Sequence, residues 1–254
     1  MFKHLKWLAM LAALPGCAAL NRPLNEVLPS GGNLSLVETE AVAEDAGDVW
    51  VGLAFSGGGM RASAFAHGML EEIRAATATS ADPHGLLSDV RLVTGVSGGS
   101  VTAAYFGLHG PAGVSRYRDI YLVQNAEKYM ANSPINPVTI AKGLSGGANG
   151  RKTFGRFLDE TLFHGATFGD LRKRSRIKTW INASDVANQT TFLFSPETFD
   201  ALCSDLSSFP ISDAVAASAA FPLVFSPIVL EAHTRKCDYR EPDWLTSARF
   251  NPEA

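Results

Sequence analysis

Metal-ligand spacing is missing from this sequence. Three cysteines and six histidines are scattered through 254 residues without the short intervals a metal site needs, so no zinc site, no calcium and no other metal is implied. Positive charge is also short, with 22 Lys and Arg against 25 Asp and Glu, which excludes an electrostatic footprint for nucleic acid. The apolar run near the start, Trp7 to Ala13, is too short to span a bilayer. A hydrophobic content of 46% excludes a disordered chain and suits one sizeable globular domain.

Glycine, in contrast, is concentrated at two points. The first turn is Phe55-Ser-Gly-Gly-Gly-Met-Arg61 and the second is Thr94-Gly-Val-Ser-Gly-Gly-Ser100, which carries Gly-x-Ser-x-Gly with Gly95, Ser97 and Gly99 in place. Val90 to Thr94 predicts a buried β-strand before the second turn, and Ser100 to Leu108 a helix after it. Strand, sharp turn and helix together make the context of a nucleophile elbow, in which a serine sits in tight backbone geometry between residues without side chains. Around the first turn, Asp48 to Phe55 predicts a strand and Met60 to Arg74 an amphipathic helix. The two strands and the helix between them form a βαβ unit, whose parallel strands bring both loops to one sheet edge. Gly57, Gly58 and Gly59 are thereby expected beside Ser97, where bare N–H groups can serve as an oxyanion hole. Arg61 either draws an anionic head group and anchors a neighbouring carbonyl, or is a solvated or salt-bridged first-turn arginine.

These motifs resemble the patatin-like phospholipases. The resemblance rests on Gly57-Gly-Gly-Met-Arg61, Gly95-Val-Ser-Gly-Gly99 and the small-residue segment Asp213 to Pro222, and covers roughly residues 48 to 230. It implies an α/β chain with a three-layer α/β/α fold and a mainly parallel sheet. It further implies Ser97 as nucleophile, Gly57 to Gly59 as oxyanion hole, and a Ser-Asp dyad without a catalytic histidine. The expected activity is hydrolysis of a lipid or ester substrate, with no cofactor. In that family the dyad aspartate lies in an Asp-Gly-Gly or Asp-Gly-Ala turn after the Phe-Pro segment, and this chain has no Asp-Gly dipeptide. Asp238 and Asp243 lie in the right region without the glycine context. The sequence stops at Ala254 in polar residues, so the fold is expected to be incomplete at the C-terminus, as a piece of a longer protein or one that has lost its base.

The remaining segments suggest export. Lys3 and Lys6 precede the Trp7 to Ala13 run, and Leu14-Pro-Gly-Cys17 looks like a bacterial lipobox, so residues 1–16 read as a lipoprotein signal peptide. An ordinary signal peptide is the alternative, proline being unusual at that lipobox position. Cys17 is then the lipid anchor to the membrane of a bacterial cell envelope, the outer one where the organism has one. Residues 17–47, rich in Pro, Asn, Gly and Ser, read as a tether, and 48–254 as the domain. Loss of Lys3 and Lys6 takes the formal charge from -3 to about -5. Cys203 and Cys237 remain as an even pair in an oxidising compartment, predicting a disulfide against the alternative of two buried thiols.

Further along, Val114 to Asn125 and Phe154 to Phe163 predict helices separated by the glycine-rich loop Gly143 to Gly150. Arg176 to Ser184 and Gln189 to Ser195 predict strands joined by a turn at Asp185. Asp213 to Ala220 predicts a helix capped by Ser212 or Asp213, and Leu223 to Leu230 an extended return.

Three other functions compete. A Ser-His-Asp hydrolase needs a histidine after Ser97, and His164 or His233 is available. A dinucleotide-binding module fits Gly57-Gly-Gly-Met-Arg-Ala62, but the second strand ends in Thr94 and Gly95 where an acidic residue should hold the ribose. A lipid-anchored scaffold without catalysis needs only the fold.

Overall fold

The computed structural model describes residues 23–29, 49–124, 151–220, 226–233 and 236–241. Residues 1–16, read above as a signal peptide, together with Cys17, the glycine-rich segment 143–150 and Asp243, lie outside the described residues.

Among the described residues, four strands form one sheet in the order β1 (Val51–Phe55), β2 (Val90–Val96), β3 (Lys178–Asp185) and β4 (Thr190–Phe194). β1, β2 and β3 are parallel neighbours, and β4 returns antiparallel beside β3. The register sets Phe55 opposite Gly95 and Gly95 opposite Ile181, so the chain leaves β1 and β2 at the same edge. That edge carries both glycine turns, as the βαβ reading requires. The antiparallel return is made by Asp185, whose carboxylate accepts from the N–H groups of Ala187 and Asn188 and from the Asn188 side chain. These bonds hold it below the usual carboxylate range, the Asn188 side chain contributing most.

Helix α1 (Gly59–Thr77) follows the first turn and α2 (Gly98–His109) the second. α2 is buried along nearly its whole length, between α1 on one side and β2 and β3 on the other. Its sequence is apolar all round, the composition of an internal helix. Beyond it, α3 (Val114–Tyr117) continues as a π-helical turn over Arg118–Leu122, and α4 (Arg156–Leu158) is flanked by π-helical turns at Arg151–Gly155 and Asp159–Phe163. The two uninterrupted helices expected here are broken into these pieces. Tyr105 of α2 and Tyr117, Tyr121 and Phe157 from these pieces line one buried seam, their rings meeting in succession at a tilt with centroids 4.8 to 6.1 Å apart. Burial pushes the Tyr117 hydroxyl up and that of Tyr121 to about 12, so both stay neutral in a dry layer.

α5 (Phe168–Arg174) opens with a capping box, Thr167 and Asp170 exchanging side-chain and backbone bonds. α6 (Pro196–Ala201) has Ser195 as N-cap and proline in its first turn. α7 (Ile211–Ser218) begins two residues before the expected start, and Pro210 occupies its N-cap without a side-chain bond. Neither Ser212 nor Asp213 caps it. Asp213 is drawn instead to Arg151, whose Nε meets its two carboxylate oxygens at 2.9 and 3.1 Å. Burial raises the Asp213 pKa, and the guanidinium only partly opposes it.

Residues 226–230 of the expected extended return form no regular strand. A disulfide joins Cys203 to Cys237, with Cα atoms 5.6 Å apart. Beside it His233 is buried, its N–H donating to the Leu202 carbonyl. Within the stretch read as tether, residues 23–29 lie against this same region. Leu28 N–H donates to the Cys203 carbonyl at 2.8 Å, and the buried Asn25 amide donates to Ser204 Oγ and the Glu231 carbonyl.

Candidate active site

Ser97 lies between β2 and α2 at φ 54° and ψ -123°, a conformation that costs a non-glycine residue about 1–3 kcal/mol and persists only where the surroundings impose it. The surroundings are backbone. A Cβ on Gly98 would stand 1.9 Å from the Gly59 carbonyl oxygen, and one on Gly99 would stand 2.4 Å from that of Ser56. Only glycines let the first turn and the elbow approach this closely. A Cβ on Gly57 would lie 3.4 Å from Ser97 Cβ, which puts the first turn beside the Ser97 side chain.

Gly58 at φ 140° and Gly59 at φ 63° carry the chain from β1 into α1. Both positions lie where glycine is at home and a side chain is strained. Among the described residues, no hydrogen bond uses the N–H of Gly57 or Gly58. Both are exposed, and Ser97 is half-buried. α2 begins at Gly98, so its first N–H groups have no acceptor within the helix and its positive dipole end faces the same space.

Hydroxyl groups hold the elbow from several sides. Ser97 N–H donates to Ser218 Oγ at 2.7 Å, and Ser218 Oγ donates to the Asn182 carbonyl at 2.5 Å. The Asn182 side-chain amide donates to Thr94 Oγ1 and the Gly95 carbonyl on β2. From the opposite side the fully buried Ser63 on α1 donates to the Gly98 carbonyl at 2.5 Å, and Thr102 on α2 bonds back to the Ser63 carbonyl. Sequence reading missed Ser63, Asn182 and Ser218. Ser218 lay inside the small-residue segment and was the one polar side chain in its second half.

The other candidates sit elsewhere. Arg61 is exposed and, among the described residues, makes no ion pair. His164 follows the π-helical turn at Asp159–Phe163 in the left-handed region. Burial holds the pKa of His109 below its usual value. His109 closes α2 at the end away from Ser97, about 18 Å along a twelve-residue helix. His233 packs against Asn25 and Leu202. Asp238 is exposed next to Cys237. Among the described residues, no imidazole or carboxylate bonds the Ser97 side chain, and no cluster of His, Cys, Asp and Glu could hold a metal ion. Among them, too, no helix is long and apolar enough to cross a membrane.

No curated protein matches the chain. A solved structure of the heterodimeric ExoU–SpcU complex from the type III secretion system of Pseudomonas aeruginosa is similar at 18% identity and a TM-score of 0.39, covering 76% of this chain and 41% of that one. The chain thus spans less than half the length of that neighbour. The family model for patatin-like phospholipase matches residues 53–238, from β1 through both glycine turns to the residue after Cys237. With its mainly parallel α/β sheet and its two glycine turns meeting at one edge, the chain belongs to the patatin-like phospholipase family, a family of lipid ester hydrolases.

Proposed function

We propose that the chain is a serine acyl hydrolase acting on ester lipids, with Ser97 as nucleophile and the Gly57 to Gly59 backbone as oxyanion hole. One observation carries the reading: a serine forced to φ 54° at a helix N-terminus, beside the Gly57 turn, where no hydrogen bond among the described residues uses the N–H of Gly57 or Gly58. Ser97 Oγ attacks the acyl carbonyl carbon while an aspartate carboxylate takes its proton. The carbonyl oxygen gains negative charge and accepts hydrogen bonds from donors fixed before the reaction begins. Collapse expels the alcohol, which takes the proton back from the carboxylic acid, and leaves an acyl-serine. Water activated by the same carboxylate then releases the fatty acid and restores Ser97.

Asp185 is not offered for the carboxylate, because its two oxygens already close the β3–β4 turn. A lipid acyl group is the substrate class best suited to the surroundings: Val96 stands exposed immediately before the nucleophile. Arg61 would meet an anionic head group. Attachment to a bacterial membrane through Cys17 completes the reading. Incorporation of an alkyne-tagged fatty acid that is lost in Cys17→Ser tests that part alone.

The decisive test is labelling by a fluorophosphonate probe with peptide mapping. Label on Ser97, absent in Ser97→Ala, is expected. A folded chain that takes no label overturns the hydrolase reading and leaves an inactive relative of the family.

A further inference from the structure

We infer that Ser218 is a positioning residue for the nucleophile, holding the peptide that enters Ser97. The inference rests on the acyl-hydrolase reading and deepens it. Three consecutive peptide groups at the elbow are held by hydroxyls. The N–H of Ser97 donates to Ser218 Oγ at 2.7 Å, the carbonyl of Ser97 accepts from the N–H and Oγ of Ser100, and the carbonyl of Gly98 accepts from Ser63 Oγ. Ser100 lies in the same helical turn. Ser63 comes from the helix that opens at the oxyanion loop. Ser218 reaches in from 121 residues away, at the last residue of α7, and links the elbow to elements outside the βαβ unit.

The direction of its bonds is fixed. A serine hydroxyl has one proton, and Ser218 gives it to the Asn182 carbonyl on β3 at 2.5 Å. Only its lone pairs remain for Ser97, so it must accept there. A merely local hydroxyl in the last turn of a helix would bond the carbonyl one turn back; this one leaves its helix for β3 and the elbow. Asn182 in turn bonds Thr94 and Gly95, so the strand that delivers the nucleophile and the turn that presents it are tied to one point.

Two chemical consequences follow. The N–H of Ser97 is committed to Ser218, so the oxyanion is left to the first glycine turn and the start of α2. And the strained φ of Ser97 is maintained by a bond that involves no reacting atom, so losing it slows the chemical step without weakening recognition of the acyl group.

The test combines two readouts on the full chain. Phosphonylation of Ser97 is followed at several probe concentrations to separate the maximal rate from the half-saturating concentration. Hydrogen exchange of the Ser97 amide is followed by NMR in chain labelled with 15N-serine, the signal assigned by its loss in Ser97→Ala. In Ser218→Ala the maximal rate is expected to fall about tenfold with the half-saturating concentration unchanged, and the Ser97 amide to exchange about tenfold faster. Ser218→Thr keeps the hydroxyl and is expected to restore both. Unchanged exchange at Ser97 in Ser218→Ala overturns the proposal. So does uniform acceleration of every serine amide, which marks a loss of general stability, or failure of threonine to restore the Ser97 amide. If the wild-type chain takes no probe, the hydrolase reading falls by itself, and the exchange of the Ser97 amide still decides whether Ser218 holds it.

Discussion

Replacing Gly98 by alanine tests the contact on which the whole site depends. The added Cβ would stand 1.9 Å from the Gly59 carbonyl oxygen, 2.6 Å from its carbon and 2.9 Å from its Cα. All three are backbone atoms, so no side chain can rotate away, and a carbon–oxygen contact near 3.3 Å requires the two turns to part by more than about 1 Å. Overpacking of this kind costs roughly 1–3 kcal/mol. In a chain of 254 residues, about 2 kcal/mol lowers the melting temperature by roughly 4–8 °C. The functional loss should be larger, because a displacement of about 1 Å between nucleophile and oxyanion donors can cost on the order of 100-fold in rate. Gly68, exposed in the middle of α1, is the control: a Cβ there meets nothing within 4 Å. Gly68→Ala should stabilise by about 0.5–1 kcal/mol through helix propensity and leave phosphonylation of Ser97 unchanged. Thermal melts and labelling rates on both variants give the comparison. A Gly98→Ala chain that melts and labels like wild type would refute the close approach of the two turns.

Reduction of the Cys203–Cys237 disulfide, which spans 34 residues, should destabilise the chain by on the order of 3–4 kcal/mol, read by urea unfolding, and unreduced chain should show two hydrogens less mass. Arg151→Ala removes the cation that opposes burial at Asp213. The folded-state pKa of Asp213 is already raised, so its contribution is greatest at acid pH and is lost as pH rises through the folded value. The variant should lose roughly 1–3 kcal/mol near neutrality and much less below the usual carboxylate range; equal losses at both would refute the pairing. His164→Ala, His233→Ala and Asp185→Ala should each leave the labelling rate of Ser97 within about twofold of wild type, and loss of label in either histidine variant would sink the dyad reading in favour of a triad.

The glycine turns were legible because their close approach is a matter of backbone alone. A strand that runs into Gly-x-Ser-x-Gly and then an apolar helix has few ways to fold, and the parallel register of Phe55 with Gly95 follows from the helix between them. α6 also had a written signal, Ser195 followed by Pro196, which the strand reading of Gln189 to Ser195 ran over. The start of α7 was misplaced because Ser212 and Asp213 have cap chemistry. Yet Pro210 fixes the entry with its own φ of -66° and Asp213 is spent on Arg151. Nothing local could have shown that pairing, nor the link from Ser97 to Ser218. Such bonds depend on where α7 docks on the sheet, and a single serine among alanines says nothing about its distant acceptor.

Order of synthesis gives that link another meaning. The glycine turns are complete by residue 100, while the hydroxyl that receives the Ser97 N–H arrives only with residue 218. A nascent chain therefore carries its serine for more than a hundred residues before the last support can form, and contacts of such sequence separation are late and slow to close. A serine presented this way is braced only once nearly all of the matched domain, residues 53–238, has been made and folded. Unfinished chains thereby lack a brace that the finished domain has.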